Sequence, residues 1–221
     1  MKFSHIVIVF ITFFASAGMA VSQTSSGTQE YGDGGAYEGE FLNGLPHGNG
    51  TYELPNGYRY VGEWFEGEIN GQGEALFPNG SVYIGSFVKG KPEGSGKITF
   101  TDGGTYEGEW ANGSITGEGY AKYANGTTYQ GTFLDAMHDG KGIMKSPDGY
   151  IYDGTWENGV KQGKATVTYP DGSIYTGEVS RGSAKVLVGS KCLKDWPMKG
   201  HGKQARLMEK VNYLKKMVMF T

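Results

Sequence analysis

The stretch YEGEWANGSITGEGYAKYANGTT, residues 106–128, decides the fold because its pattern recurs along the chain. A fixed interval of about 20 to 50 residues indicates a repeat architecture in which each copy supplies one supersecondary unit. The chain therefore contains seven copies of one short unit. A tyrosine opens each copy, always 23 residues after the last: Tyr37, Tyr60, Tyr83, Tyr106, Tyr129, Tyr152 and Tyr175.

Glycines and aromatic residues hold fixed places within a copy. Glycine follows the tyrosine by two residues, and Phe or Trp follows it by four, as in Tyr106, Gly108 and Trp110. A further glycine comes three residues later except at Ala136, and a Gly-x-Gly pair follows in the first five copies. The seventh copy keeps only the opening Tyr-Thr-Gly, and we interpret it as a terminal cap.

The spacing predicts β-hairpins. Alternate side chains of a strand share a face, so Tyr37, Gly39 and Phe41 point to one side while Glu38 and Glu40 point to the other. A bare glycine between two rings leaves room for neighbouring rings to lie over the backbone. Each of the first six copies closes with Asn-Gly or Asp-Gly, which we predict to form the tight hairpin turn.

Composition supports a packed, glycine-rich β protein. The 221 residues include 39 glycines, 15 tyrosines, 11 phenylalanines and 4 tryptophans. The glycines lack the period of three that collagen requires. So many aromatic residues also argue against a disordered chain. Because one hairpin cannot bury its own apolar face, stacked copies are expected.

The pattern Y-x-G-x-[FW]-x-x-G-x-x-x-G-x-G resembles the MORN (membrane occupation and recognition nexus) repeat over about residues 33–182. The resemblance implies an all-β fold: an elongated, twisted, single-layer antiparallel sheet of tandem 23-residue hairpins with a grooved face. The aromatic side chains of the central copies are then the candidates for binding a partner in that groove: Tyr60, Trp64, Tyr83, Phe87, Tyr106, Trp110, Tyr129, Phe133, Tyr152 and Trp156.

The N-terminal segment has the features of a secretory signal peptide over residues 1–20. Lys2 supplies a positive charge, residues 6–17 are apolar, and Ala20 precedes the expected cleavage point. An uncleaved anchor and a buried strand are the alternatives. Residues 21–32, which follow, are expected to form a polar linker.

The C-terminal segment, residues 183–221, differs in charge from the repeats. Residues 31–182 contain 20 acidic and 10 basic side chains, whereas residues 183–221 contain 2 acidic and 9 basic ones. Apolar residues recur at helical spacing, which predicts a short basic amphipathic α-helix at about 203–219. This helix either packs against the acidic repeats or binds a partner or an anionic membrane. The candidates for lipid contact are Lys203, Arg206, Lys210, Lys215 and Lys216.

The motifs and residue spacings of the sequence predict no catalytic, cofactor or metal site. Each Gly-x-Gly opens a short strand, whereas a dinucleotide fingerprint lies between a strand and a helix. His47, His138 and His201 occupy unrelated positions without metal spacing, and we predict that they are solvated loop residues. The glutamates of successive copies are too far apart to share a calcium ion.

The sequence therefore predicts a non-catalytic, exported repeat scaffold, periplasmic or secreted, that binds a protein or peptide along its aromatic groove. The alternative is a peripheral binder of anionic lipid surfaces that uses the basic C-terminal segment. No nucleic-acid partner is expected. The lone Cys192 permits no intramolecular disulfide.

Overall fold

The computed structural model describes residues 23–188 and 191–197. The chain divides into two compact units between Lys91 and Pro92. Secondary structure in the described residues consists of β-strands, without a helix. The strands of unit 1 are β1 (Thr24–Glu30), β2 (Ala36–Leu42), β3 (Leu45–Glu53), β4 (Arg59–Phe65), β5 (Glu68–Leu76) and β6 (Val82–Val88).

Unit 2 continues the same alternation of shorter and longer strands. Its first strand, β7, begins at the division itself. The strands are β7 (Lys91–Thr99), β8 (Thr105–Ala111), β9 (Ser114–Lys122), β10 (Thr128–Leu134), β11 (Met137–Lys145), β12 (Ile151–Glu157), β13 (Val160–Thr168), β14 (Ile174–Ser180), β15 (Ser183–Val188) and β16 (Lys191–Pro197).

Within each unit the strands pair antiparallel with their neighbours in the chain. Gly39 of β2 pairs with Gly50 of β3, and Gly50 pairs in turn with Gly62 of β4. The glycines of successive strands therefore form a row across the sheet. The all-β antiparallel architecture predicted from the sequence is confirmed.

A two-residue turn joins the strands of each copy. Both turn residues have positive φ, 52° at Asn43 and 85° at Gly44 in the first copy. Such a turn matches the right-handed twist of the flanking strands. Positive φ at both positions recurs in every copy: Glu66-Gly67, Lys89-Gly90, Asn112-Gly113, Asp135-Ala136, Asn158-Gly159 and Arg181-Gly182.

The Asn-Gly and Asp-Gly pairs form a different turn from the one predicted. At Asn56-Gly57 only the glycine has positive φ, and five residues, 54–58, separate β3 from β4. The Leu54 amide donates to the Tyr58 carbonyl at 2.9 Å. The Asn56 side-chain oxygen accepts from the Tyr58 amide at 2.9 Å. This wider turn connects one copy to the next. The asparagine stabilises the turn by accepting a hydrogen bond with its side chain, and its own φ is not positive.

Successive copies are also held together at their tight turns. The Gly67 amide donates to the Pro46 carbonyl of the preceding copy at 2.8 Å. The Gly159 amide donates to the His138 carbonyl at 2.8 Å in the same manner. From the second copy on, each tight turn is hydrogen-bonded to the longer strand of the copy before it, which stacks the hairpins.

The ends of the repeat region differ from the sequence expectation. Residues 24–30, expected in a polar linker, form β1 and pair with β2 from Thr24↔Leu42 to Glu30↔Ala36. The start of the C-terminal segment forms β15 and β16, which pair with each other. The expected signal peptide and the expected helix at 203–219 lie outside the described residues.

Candidate functional site

The repeated tyrosines form the centre of the core. Each hydroxyl donates to the backbone carbonyl three residues later, at 2.8 Å from Tyr37 to Glu40 and at 3.0 Å from Tyr106 to Glu109. Burial raises the pKa of Tyr37 to about 12. These hydroxyls are therefore neutral structural donors rather than reactive groups.

The Phe or Trp of an inner copy packs between two of these tyrosines. Trp64 meets the ring of Tyr37 at 4.8 Å and the ring of Tyr60 at 5.8 Å between centroids, both edge to face. In unit 2, Phe133 meets Tyr106 and Tyr129 at 5.0 Å each. Edge-to-face contacts at such distances stabilise beyond the burial of area alone. The rings therefore form a continuous row within each unit.

The ten predicted groove residues are core residues rather than an open groove. All are buried, and the most exposed of them, Trp64, exposes only 7% of its surface. The glycines explain this closure because the tyrosine rings lie directly over them: a Cβ built on Gly119 would come within 2.5 Å of the Tyr106 ring. A partner cannot touch these side chains without opening the core. The aromatic face is therefore already filled by the protein itself.

One buried position in the repeat carries polar residues in two of the copies. It lies in the longer strand of each copy and holds Pro46, Ile69, Pro92 and Ile115 in the first four copies. His138 and Lys161 occupy it in the next two and are buried, with 1% and 6% exposure. The prediction that His138 is a solvated loop residue is wrong, since it lies in β11. The 23-residue register with the four apolar residues was the signal that could have shown this.

His138 is enclosed by aromatic rings. It stacks on Tyr129 at 3.5 Å between centroids and lies 4.7 Å from Trp156. A hydrogen bond of 2.6 Å joins its Nε2 to the Tyr123 hydroxyl. Burial, together with the charge of Lys161, lowers the pKa of His138 to about 3. The imidazole is therefore neutral at physiological pH.

The buried amine of Lys161 also has a hydrogen-bond partner and neighbouring aromatic rings. Its Nζ donates to the Tyr150 hydroxyl at 3.0 Å. The same atom lies over the rings of Tyr150, Tyr152 and Trp156, at 4.5, 5.0 and 5.5 Å from the centroids. Burial lowers the pKa of Lys161 to about 8. Cation–π contacts and one hydrogen bond thus take the place of water around this amine.

The side chains that alternate with the tyrosines form what we call the open face of each unit. Several large apolar side chains on it are exposed, including Phe65 at 51% and Ile84 at 54% in unit 1 and Leu134 at 51% in unit 2. His47 packs beside Phe65 at 5.3 Å between ring centroids. The open face is therefore the surface available to a partner.

Other candidate sites receive no further support among the described residues. No group of His, Cys, Asp or Glu side chains there is arranged to hold a metal ion. Within residues 23–188 and 191–197, no helix has the length and apolar character that crossing a membrane requires. The five candidate lipid-contact residues between 203 and 216 lie outside the described part of the chain.

The two units define an all-β protein built from tandem hairpin repeats. A MORN repeat model matches six consecutive segments that together span more than half of the chain, and the chain belongs to this family. The segments are residues 37–57, 60–82, 83–105, 106–128, 129–149 and 152–174.

Solved structures that match the chain include a TCP domain and a TCP10 domain. One is the TCP domain of SAS-4 (dCPAP) of Drosophila melanogaster in complex with a proline-rich motif of Ana2 (dSTIL), with TM-score 0.43, 11% identity, and coverage of 77% of this chain and 97% of that one. The other is the TCP10 domain of Danio rerio CPAP in complex with a STIL peptide, with TM-score 0.21, 17% identity, and coverage of 79% and 100%. No curated protein sequence matches the chain.

Proposed function

We propose that this chain is a non-catalytic, exported repeat scaffold that binds a protein or peptide through its open face. The observation that carries the proposal is the contrast between the two faces. The aromatic face is closed: seven positions, from Phe41 to Val179, follow a repeat tyrosine by four residues, and six of them, all but Phe41, are buried. The open face leaves large aliphatic and aromatic side chains in water.

The exposed apolar side chains favour binding over a purely architectural role. Single exposed apolar residues are common on soluble proteins, but contiguous apolar surface usually has a partner. Ile84 and Val88 share the open face of β6, and Val61 and Phe65 share that of β4. β5 lies between these two strands, and its Glu74 pairs with Val61 on one side and with Ile84 on the other. The buried, hydrogen-bonded state of His138 and Lys161 gives them a role in packing rather than in catalysis.

Site-specific photo-crosslinking of the full chain tests this proposal. A photoreactive phenylalanine analogue at Ile84 or at Leu134, both on the open face, should cross-link to a discrete partner in the exported fraction. The same analogue at Ala124, an exposed residue of the turn between β9 and β10 rather than of the open face, is the matched control. Excess untagged chain should abolish the cross-link. Cross-linking that is absent, or equal at all three positions, contradicts the proposal, and full-length chain retained in the cytoplasm contradicts export.

The alternative is peripheral binding to anionic lipid through the basic C-terminal segment. The observation that favours it is the excess of basic residues in 183–221 beside the acidic repeats. Such binding should weaken as salt screens the charges. Flotation with phosphatidylserine vesicles, comparing the full chain with a variant in which Lys203, Arg206 and Lys210 are replaced by glutamine, tests it. Unchanged flotation of the variant rejects this role for the segment.

A further inference from the structure

The open face of unit 1 carries an apolar patch formed by Val61, Leu76, Val82 and Ile84. Leu76 of β5 pairs directly with Val82 of β6. Glu74 of β5 pairs with Val61 on one side and Ile84 on the other. Directly paired residues share a face and lie about 4.5 to 5.5 Å apart at their Cβ atoms, and diagonal neighbours are still within reach. The four side chains are therefore contiguous around one carboxylate.

The repeat itself does not require this patch. Two copies further along the chain, the equivalent positions in unit 2 are Glu107, Lys122, Thr128 and Gln130, all polar. The strands of unit 2 that carry these polar residues form equivalent hairpins and bury the equivalent tyrosines, Tyr106 and Tyr129. The apolar residues of unit 1 thus contribute nothing that folding of a copy needs. Ile84 is 54% exposed, and Val61 and Leu76 are each 37% exposed.

The charge around the patch is mainly negative. Among β1 to β6, Arg59 is the one basic residue apart from His47. It lies opposite Leu76 at the edge of the patch, but its guanidinium is already paired with Glu53 at 2.8 Å. The same strands contain seven glutamates. Glu74 lies inside the patch, and Glu63 follows Val61 along β4 on the same face. A ligand that covers the aliphatic side chains therefore comes next to unneutralised carboxylates.

We propose that this patch binds a short basic segment of a partner protein, in which lysine or arginine accompanies aliphatic side chains. The aliphatic side chains cover Val61 and Ile84, and a cation pairs with Glu74 between them. An acidic or neutral partner would leave Glu74 without a counter-charge as water is removed, which is costly. This inference rests on the proposed function, since it assigns a partner chemistry to the same open face.

Selection from a display library of random short peptides on the full chain tests the inference. Enriched peptides should combine Lys or Arg with Val, Ile or Leu. The double variant Val61→Thr/Ile84→Thr keeps β-branching on an exposed face, so it should fold, and it should bind the selected peptides about tenfold or more weakly. Ile174→Thr, at an exposed aliphatic position of unit 2, is the matched control and should bind as the wild type does.

Glu74→Gln examines the charge separately. It should weaken binding of the selected peptides and reduce the dependence of affinity on salt, because it removes the screened charge pair. Enriched peptides without basic residues, or binding insensitive to both Val61→Thr/Ile84→Thr and Glu74→Gln, would overturn the inference while the proposed function stands. If no peptide is enriched, the inference falls, whereas the proposed function is decided separately by the photo-crosslinking experiment.

Discussion

At the scale of single residues, each repeat tyrosine holds its strand in place with two parts of its side chain, the hydroxyl and the ring. The hydroxyl of Tyr106 bonds to the Glu109 carbonyl of its own strand at 3.0 Å and to the Thr116 carbonyl of the partner strand at 3.2 Å. The ring between them covers Gly108 and Gly119. Glycine is therefore required here by lack of space, not by backbone conformation. The spacing in the sequence predicted this packing of rings over glycine.

The Gly108→Val variant should be much less stable than Glu107→Val. A Cβ on Gly108 would lie 2.5 Å from the Tyr106 hydroxyl oxygen and 2.6 Å from both the Glu118 carbonyl oxygen and the Gly119 Cα. Overpacking of this kind costs roughly 1–3 kcal/mol or more. Glu107 is exposed on the other face, where its pairing with Lys97 at 3.6 Å contributes little. Thermal melts compare the two, and equal melting temperatures would show that the faces are assigned wrongly.

His138 should make the stability of unit 2 depend on pH. Its pKa is about 3 in the folded chain and about 6.5 when unfolded, so the unfolded chain binds the proton first. Stability is therefore retained above pH 6.5 and is lost as pH falls toward 3, by about 1.4 kcal/mol per pH unit. Tyr123 and Lys161 are the polar groups that face the ring.

Urea unfolding of the wild type and of His138→Gln between pH 7 and pH 4 measures this dependence. Glutamine still accepts a hydrogen bond from Tyr123 but does not titrate, and all other titratable groups are common to both proteins. The advantage of the wild type over the variant should shrink steadily below pH 6.5. A difference that stays constant over this range would mean that the imidazole is not buried in its neutral form.

At the scale of elements, each copy uses two kinds of turn: a tight turn within the hairpin and a wider turn that leads to the next copy. The tight turn needs positive φ at two successive residues, which is why glycine holds its second place in every copy but the fifth. Ala136 adopts φ 63° there and is buried. The wider turn at each Asn-Gly or Asp-Gly pair needs one positive φ and a side-chain acceptor. The number of strands therefore follows from the number of copies, because the same two turns recur at a fixed interval.

Gly44→Ala should destabilise the first hairpin by about 1 kcal/mol, through backbone strain alone. Gly44 has φ 85°, and a Cβ there would meet nothing within 4 Å. Left-handed backbone costs an L-residue roughly 1–2 kcal/mol, partly offset by the lower entropy of the unfolded alanine chain. Gly32→Ala is the matched control, because its Cβ also meets nothing within 4 Å and its φ lies outside that region. Chemical denaturation should show no loss for Gly32→Ala, and equal losses would refute the strain.

The sequence predicted the elements better than their roles. The Tyr-x-Gly-x-Trp spacing was enough to predict strands, faces and stacking. It did not separate the two turns, because Asn-Gly satisfies both a two-residue turn and an Asx-stabilised one. It did not predict β1 either, since the polar residues 24–30 lack the alternation that marks a half-buried strand. Burial of the groove candidates depends on how closely rings of neighbouring copies approach, which spacing alone does not fix.

At the scale of the whole molecule, each described strand contacts mainly its neighbours in the chain within its own unit. Unit 2 shows this directly, since β8 pairs with β7 and β9 while β12 pairs with β11 and β13. In such a stack, stability is approximately a sum of copies and the interfaces between adjacent copies. Surface function can then differ between copies, because the open face of one copy can change while its buried residues stay the same.

A destabilising substitution in one copy should therefore also lower the stability of adjacent copies, by less with increasing distance along the chain. We expect Gly108→Val to raise amide hydrogen exchange most in β8 and β9, less in β10 and β11, and least in β12 and β13. The crowding at Gly108 acts on Tyr106, whose ring contacts Trp110 of β8 and Phe133 of β10. Opening of a repeat stack proceeds through neighbouring interfaces, so protection should recover along the chain. Exchange followed by mass spectrometry on the full chain, with Glu107→Val as control, measures this gradient. A uniform rise across β8 to β13 would instead show that unit 2 opens as one cooperative block.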